Sequence, residues 1–473
     1  MISSSPVVSR PSRSRVAPVA SCLLAAAFAF AAAVALPLSG HAQIAAPSAA
    51  TRAGSAKPSL KVAADRADAI YRQGETVTFT IRSTGTDAAA EAQWSISKDG
   101  VAPKRSGTVA LVNGAASVTG SLDEPGFLLC QVTIPDPAAK PDAKEKTVKA
   151  FAGAAIDPLK IAPSLPVPDD FDAFWADKKN ALAAIPVNAR LTPVAPPKPA
   201  DAAKIETFDL QADSLGAPVS GYYARPAGAK PGSLPAILTV HGAGVRNSIL
   251  NEPAKWANRG LIALDINAHG LPNDKPASFY EKLSKGELGD YRTRGRNSRE
   301  TIYFLGMYLR LVRAIDFLAA QPEWDGRTLI VSGTSQGGAQ SIVAGGLDPR
   351  VTYISAGVPA ICDNTGVLAN RQRGWPKFLP ETKAEAEKLP EAVQAVRYYD
   401  AMNFATRVKA EAYFTTGFID TTCAPTSVYA AYNNLPVSGK KTIYNDIANG
   451  HGSSAACNKA KTDAILAYLA TRK

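Results

Sequence analysis

The spacing of apolar positions changes character along the chain. From Ser59 to about Phe151 the apolar residues come in short runs: LKVAADR, TVTFTIRST, AEAQWSISKDG, GTVALVNGAASVTGSL and GFLLCQVTI. Many alternate with polar positions, and Gly, Asp and Asn separate them. Period-two alternation between turn residues predicts half-buried strands, and a regular series of them predicts a β-sandwich. The expectation is a small all-β, immunoglobulin-like domain over residues 59–151, with Trp94 as its core tryptophan. It holds a single cysteine, Cys130, so the intersheet disulfide of antibody domains is excluded.

The pattern then changes. Residues 152–168, AGAAIDPLKIAPSLPVP, read as a Pro-rich linker. In DDFDAFWADKKNALAAI, Asp169 or Asp170 is placed to cap a helix whose Phe171, Phe174, Trp175 and Leu182 recur near helical spacing. Two strand-like stretches follow, KIETFDLQA and VSGYYARP. Beyond Pro235, continuous apolar runs such as PAILTVHG and GLIALDIN suit strands buried on both faces. They alternate with helical patterns, including the amphipathic IYFLGMYLRLVRAIDFLAAQ and a closing NKAKTDAILAYLATR. That alternation predicts an α/β domain over residues 169–473, with a mostly parallel central sheet covered on both faces.

The N-terminus obeys neither pattern. Arg10, Arg13 and Arg15 precede an almost unbroken apolar run from Val19 to Leu36, and SGHAQ offers a cleavage site after about Ala42. Residues 1–42 read as a secretory signal peptide and 43–58 as a flexible leader. The expected location is therefore exported, periplasmic or extracellular, with no membrane anchor once the signal is cleaved. Removing the three arginines lowers the formal charge from +11 to +8, and the remaining basic residues are scattered. Nucleic-acid binding, which wants a clustered patch, is not expected. No C-x-x-C pair occurs, so a zinc or redox motif is not expected, and no metal site is predicted. Export permits disulfides, and Cys423 and Cys457 each follow one of the residues singled out below; whether a bridge joins them is left open as a hypothesis.

The chemistry begins at IVSGTSQGGAQ, residues 330–340. A G-x-S-x-G pattern between a buried strand and a helix puts Ser335 on a sharp turn, where glycines permit close backbone approach. A serine hydroxyl needs a base. Beyond residue 42 the histidines are His241, His269 and His451, and in the chain order serine, acid, histidine only His451 qualifies. Asp420 follows the strand-like AEAYFTTG and is preferred as the orienting acid over Asp446 and Asp400. The backbone N–H groups of Gln336 and of Ala243, in LTVHGAGV, are the expected oxyanion donors. His241, Asn267 and His269 are candidates for the substrate pocket, with His241 favoured as a loop buttress.

At these residues a family becomes visible. About two thirds of the chain, roughly residues 165–473, resembles the acetyl xylan esterase and cephalosporin-C deacetylase family. The matching pieces include DDFDAFWADKKNAL, TVHGAG, GTSQGG, VPAICD, MNFATRVKAEAYFTTGFIDTTCAP and NGHG. The resemblance implies an α/β-hydrolase, a Ser335–Asp420–His451 triad, no cofactor, and a homo-oligomer. It also implies an acetylated oligo- or polysaccharide or a small ester as substrate. Three departures mark a divergent branch: Asn267-Ala268-His269 stands where the family has Arg-Gly-Gln, Ala243 replaces an aromatic residue, and Gly452 replaces a glutamate. A hydrolase of other acyl or peptide specificity, and an inert exported carbohydrate-binding protein, are the alternatives; activity on short acetyl esters separates them.

Overall fold

The computed structural model describes residues 59–472 apart from 86–90, 137–138, 141 and 437–438. The expected signal peptide and leader lie outside the described residues.

The alternating segments form strands β1 (Ser59–Ala64), β2 (Ile70–Tyr71), β3 (Val77–Thr84), β4 (Glu91–Lys98), β5 (Arg105–Ala110), β6 (Ala115–Gly120), β7 (Gly126–Pro135) and β8 (Thr147–Ile156). They make two sheets, ordered β1-β3-β6 and β2-β8-β7-β4-β5. Every pairing is antiparallel except β2 with β8. Inward residues of both sheets share one core: Phe79 and Ile81 from β3 meet Ile96 from β4 and Cys130 and Val132 from β7. Trp94 is half-buried at the edge of that core, not at its centre.

Two boundaries differ from expectation. The last strand runs to Ile156, so the first residues of the expected linker belong to the sheet. Its FAGAAI segment lacks alternation because both faces are covered: Ala152, Ala154 and Ile156 face the sandwich core, while Ala155 joins the core of the following domain. The rest of the linker is pinned. Ile161 is buried, and Ser164 N–H donates to Asp363 (3.0 Å).

The second part is built on nine further strands: β9 (Arg190–Pro193), β10 (Ile205–Ala212), β11 (Val219–Pro226), β12 (Leu234–Val240), β13 (Ile262–Ile266), β14 (Trp324–Thr334), β15 (Tyr353–Gly357), β16 (Glu411–Gly417) and β17 (Lys441–Asp446). Their order is β17-β16-β15-β14-β12-β13-β11-β10-β9. From β13 to β17 all pairings are parallel, and β9, β10 and β11 join antiparallel at one edge. β13 and β15 are buried at every residue, which is why their sequences run apolar without alternation. The helix Phe304–Ala319 crosses one face and is buried nearly all round. Its buried Arg310 and Arg313 donate through Nη2 to carbonyls of Ala268 (2.6 Å) and of Leu182 (2.7 Å) and Ile185 (2.8 Å), while the Nε of each has no partner.

Both parts lie in one compact unit. The outer face of β7 and β8 docks beside the loop after β16. Phe127 sits edge-on to Phe418 (5.0 Å between centroids) and tilted against Tyr429 (5.6 Å). Gly153 lies so close to the Phe418 carbonyl that any Cβ would overlap it. Buried Asp99 accepts a hydrogen bond from the Thr426 hydroxyl.

Candidate active site

β14 ends at Thr334 and the helix Gln336–Leu347 begins two residues later, so Ser335 alone carries the reversal. Its φ of 60° and ψ of −120° are unusual for a residue with a side chain. The turn is possible because its neighbours are glycines. A Cβ at Gly333 would collide with the Gly337 backbone, and one at Gly337 with the Val240 carbonyl. The strained serine is held by its own backbone: its N–H donates to Gly357 (2.8 Å), and its carbonyl accepts from Ala339 (3.1 Å) and Ala360 (3.0 Å).

Two loops bring the partners. Asp420 follows β16 and His451 follows β17, so both stand at the carboxyl ends of parallel strands, where this sheet presents its loops. His451 Nε2 lies 2.9 Å from Ser335 Oγ, and its Nδ1 lies 2.9 Å from Asp420 Oδ2. The Asp420 side chain is fully buried, while a third of the imidazole is exposed. The other carboxylate oxygen accepts from the N–H groups of Thr422 (2.7 Å) and Cys423 (2.9 Å). A buried carboxylate with three hydrogen bonds is satisfied as an anion, and it fixes the imidazole with Nδ1 protonated and Nε2 facing the serine. This arrangement can withdraw the hydroxyl proton.

The rival acids do other work. Asp446 accepts from Ser454 N–H (2.7 Å) and Asn449 Nδ2 (2.7 Å), tying down the loop that carries His451. Asp400 is fully buried, accepts backbone N–H groups from Asp363, Asn364 and Met402, and burial pushes its carboxyl up to about 8.

On the opposite side of Ser335 stands the loop after β12. Gly242 approaches closely enough that its Cβ would lie 3.3 Å from the Thr334 carbonyl and 3.7 Å from Ser335 Cβ. Ala243, next in the chain, is exposed. Gln336 is the first residue of its helix, so its N–H has no intrahelical partner. The helix N-terminus also adds positive potential there. Both expected donor segments therefore adjoin the serine.

The three pocket candidates are buttresses. Asn267 is fully buried and its side chain is spent inside its own turn: Oδ1 accepts from His269 N–H (3.1 Å) and Leu271 N–H (2.9 Å), and Nδ2 donates to the Leu271 carbonyl. It presents no surface to a substrate, which corrects the expectation for it. His241 Nε2 accepts the Ala268 N–H (3.1 Å), and Nδ1 sits against the Gly242 carbonyl (2.5 Å). His269 contacts Tyr303 OH through Nδ1 (2.8 Å) and stands edge-on to Tyr291 (4.7 Å). Burial depresses His241 to about 4 and His269 to about 3, helped by Arg246 and Arg310 respectively. Both shifts favour the neutral imidazole.

Two further residues were not legible beforehand. Tyr291 OH accepts from Gly244 N–H (3.3 Å) and donates to Gln336 Oε1 (3.4 Å), joining the loop after β12 to the helix that starts at Gln336. Lys461 Nζ, from the helix Ala455–Ala470, donates to the Gly333 carbonyl (3.0 Å) and Thr334 Oγ1 (2.8 Å) beneath the serine turn. Neither sits in a recognisable motif; only the fold brings them there.

The hypothesis of a Cys423–Cys457 bridge is answered: among the described residues Cys130, Cys362, Cys423 and Cys457 are free and buried. The Cys423 thiol interacts with the Ser335 hydroxyl, while Cys457 faces Thr415 and Ser453, so their neighbours differ. Asp420, Cys423 and His451 place three donor atoms within 4.8 Å of one another. A metal-bound thiol must be deprotonated. Burial pushes Cys423 well above its ordinary value, and the other two donors are already committed to each other and to Ser335. The trio does not fit a metal.

Among the described residues no helix is long and apolar enough to cross a membrane. The acetyl xylan esterase (AXE1) family model matches residues 157–469. An acetyl esterase, Axe7A, of Xylanibacter ruminicola is 32% identical over 408 residues, which cover 83% of this chain and 87% of that protein. That stretch is longer than the family match, so it extends into the strands before residue 157. An acetyl xylan esterase from a Paenibacillus species superposes with a TM-score of 0.56 at 27% identity, over 66% of this chain and 98% of the other. Acetyl xylan esterase 1 from a Thermoanaerobacterium species does so with a TM-score of 0.54 at 21% identity, over 65% and 96%. The chain thus belongs to the acetyl xylan esterase family, and it is a carboxylic ester hydrolase.

Proposed function

We propose that the protein is an exported serine esterase that removes acetyl groups from acetylated carbohydrates by acyl transfer. What carries this reading is the unbroken chain from Asp420 through His451 to Ser335, with 2.9 Å at both steps, on a turn only glycine neighbours allow. His451 Nε2 takes the hydroxyl proton as Ser335 Oγ attacks the ester carbonyl. The Gln336 and Ala243 N–H groups receive the oxyanion. As the bond between the acyl carbon and the sugar oxygen breaks, His451 protonates that oxygen, releasing the sugar hydroxyl and leaving an acetyl-serine. Water, deprotonated by the same imidazole, releases acetate and restores the serine. Asp420 holds the imidazole and balances its transient charge.

The sugar substrate is supported by the names of the family and the similar proteins, which are acetyl and acetyl xylan esterases. Export is supported by the basic and apolar pattern of residues 1–42. The immunoglobulin-like character of the first domain is supported by its three-and-five strand order, with the edge strands β1 and β2 divided between the sheets. Acetate release from acetylated xylan, xylo-oligosaccharides, cephalosporin C and short nitrophenyl esters tests the reading. Ser335→Ala should lower kcat by about 10⁴-fold or more with the melting transition intact. Turnover retained in that variant would sink it.

A further inference from the structure

The outer face of the sheet β2-β8-β7-β4-β5 changes character along its length. On β7 the outward positions read Phe127, Leu129, Gln131, Thr133, and on β8 the positions Ala155, Gly153 and Phe151 run in the matching direction. Near Phe127, Ala155 and Gly153 this face is apolar or small and docks on Phe418 and Tyr429. Further along, the contact parts. Gln131 and Phe151, with Ser95 of β4, floor an open cleft of about 610 Å³. Its opposite wall includes Asn370, Gln372 and Thr421 of the esterase domain. A second hollow of about 360 Å³ shares Ser95 and Gln131 and continues along the sheet.

The cleft is tied to the catalytic loops. Thr421 directly follows Asp420, and Gln372 Nε2 donates to the Thr421 carbonyl. Three residues on, Trp375 N–H donates to the Thr422 carbonyl (2.9 Å), and its ring lies 6.4 Å from Tyr291, which touches both segments beside Ser335. One short loop, 370–375, therefore separates the cleft from the serine site.

The lining has the chemistry of a sugar site. Amides and hydroxyls supply paired donors and acceptors, and Phe151, 37% exposed, offers an aromatic face among them. Three cations also line it: Arg371 is bound to Asp363 (2.6 Å), Lys383 pairs with Glu387 (3.9 Å), and Lys104 is exposed at the rim, with Glu381 among the same lining residues.

We propose that this cleft binds the sugar backbone of the acetylated polysaccharide, several residues away from the acetyl group being cleaved, so that the sandwich domain is a working part of substrate recognition. The proposal rests on the deacetylase reading above but is tested apart from it. Full-length Ser335→Ala protein is titrated by calorimetry with acetyl-free xylo-oligosaccharides of increasing length. Affinity should rise with length, and adding Phe151→Ala or Ser95→Arg, which crowds the floor, should weaken it about tenfold. In the active protein the same changes should raise KM for acetylated xylan about tenfold more than KM for a nitrophenyl acetate. Binding that ignores length and both substitutions overturns the cleft, as do equal losses on polymer and small ester. Wild-type protein that releases no acetate from any acetylated sugar defeats the deacetylase reading instead, and the titration still decides the cleft.

Discussion

The two sides of Ser335 are held by opposite means. On one side Asp420 and His451 touch the serine through side chains, and the imidazole is a third exposed with both nitrogens engaged. On the other side His241, Asn267, His269 and Tyr291 are buried, and they act on backbone groups of the loop after β12 and its neighbours. The residue type histidine appears on both sides with opposite electrostatics. His451 has a carboxylate partner and reach to water, whereas His241 is buried near Arg246 and His269 is buried against Tyr291, Tyr303 and Arg310, surroundings that lower the pKa of both. Environment, not residue type, separates a base from a buttress.

The largest break of this contrast is Asp420→Asn. An amide cannot balance an imidazolium, and it can donate to Nδ1 and turn the tautomer the wrong way. We expect kcat to fall by about 10⁴-fold, with little change in KM for short esters. Asp400→Asn supplies the control. Asp400 serves only backbone N–H groups, so that variant should lose stability and retain far more of its turnover once folded. Steady-state kinetics and urea melts on both variants check this; equal loss of kcat would erase the distinction between the two carboxylates.

The buried side is next, through pH. The folded pKa of His269, about 3, lies below the ordinary value of about 6.5 expected when unfolded. Above pH 6.5 the ring is neutral in both states and its contribution to stability is fully present. As pH falls from 6.5 toward 3 the unfolded chain takes up a proton that the folded one refuses, and the contribution is lost. The buried acids Asp99, Asp265 and Asp400 are shifted upward and act in the opposite sense, so total stability is the wrong observable. The difference between wild type and His269→Gln isolates the ring. That difference should shrink by about 2 kcal/mol between pH 7 and pH 5. A difference constant with pH would mean that His269 titrates normally.

Much of this was legible in the chain, for identifiable reasons. Ser335, Asp420 and His451 could be read because glycine steric demands, strand–helix alternation and the scarcity of histidines each left few choices. The parallel strands could be read because burial on both faces leaves unbroken apolar runs. β8 could not be read past residue 151, since alanine and glycine carry no polarity to alternate. Asn267 was misassigned because a polar side chain looks the same in sequence whether it meets a ligand or its own turn. Tyr291 and Lys461 act across 45 and more than 120 residues, distances over which a single sequence carries no signal.

Tyr291→Phe probes the link across the buried side with a smaller effect. It removes one hydroxyl and leaves the ring against His269 and Trp375. Two long hydrogen bonds are lost, to Gly244 N–H and to the Gln336 side chain, worth about 1 kcal/mol together in the transition state. We expect kcat to fall about fivefold with the pH profile of His451 unmoved. A change in that profile would show that the two sides of Ser335 are not independent.

The smallest effect tests what holds the acid–base side together. A bridge between Cys423 and Cys457 would close the segment that carries both the loop end after Asp420 and His451, and would be worth about 3–4 kcal/mol. The two thiols are instead free, each with its own neighbours, and the loops are held by the backbone hydrogen bonds to Asp420 and Asp446. Dithiothreitol should therefore leave both the melting temperature and esterase activity unchanged, and alkylation after denaturation should label both cysteines without prior reduction. A drop in melting temperature on reduction would mean that covalent closure, rather than the two buried carboxylates, keeps His451 in place.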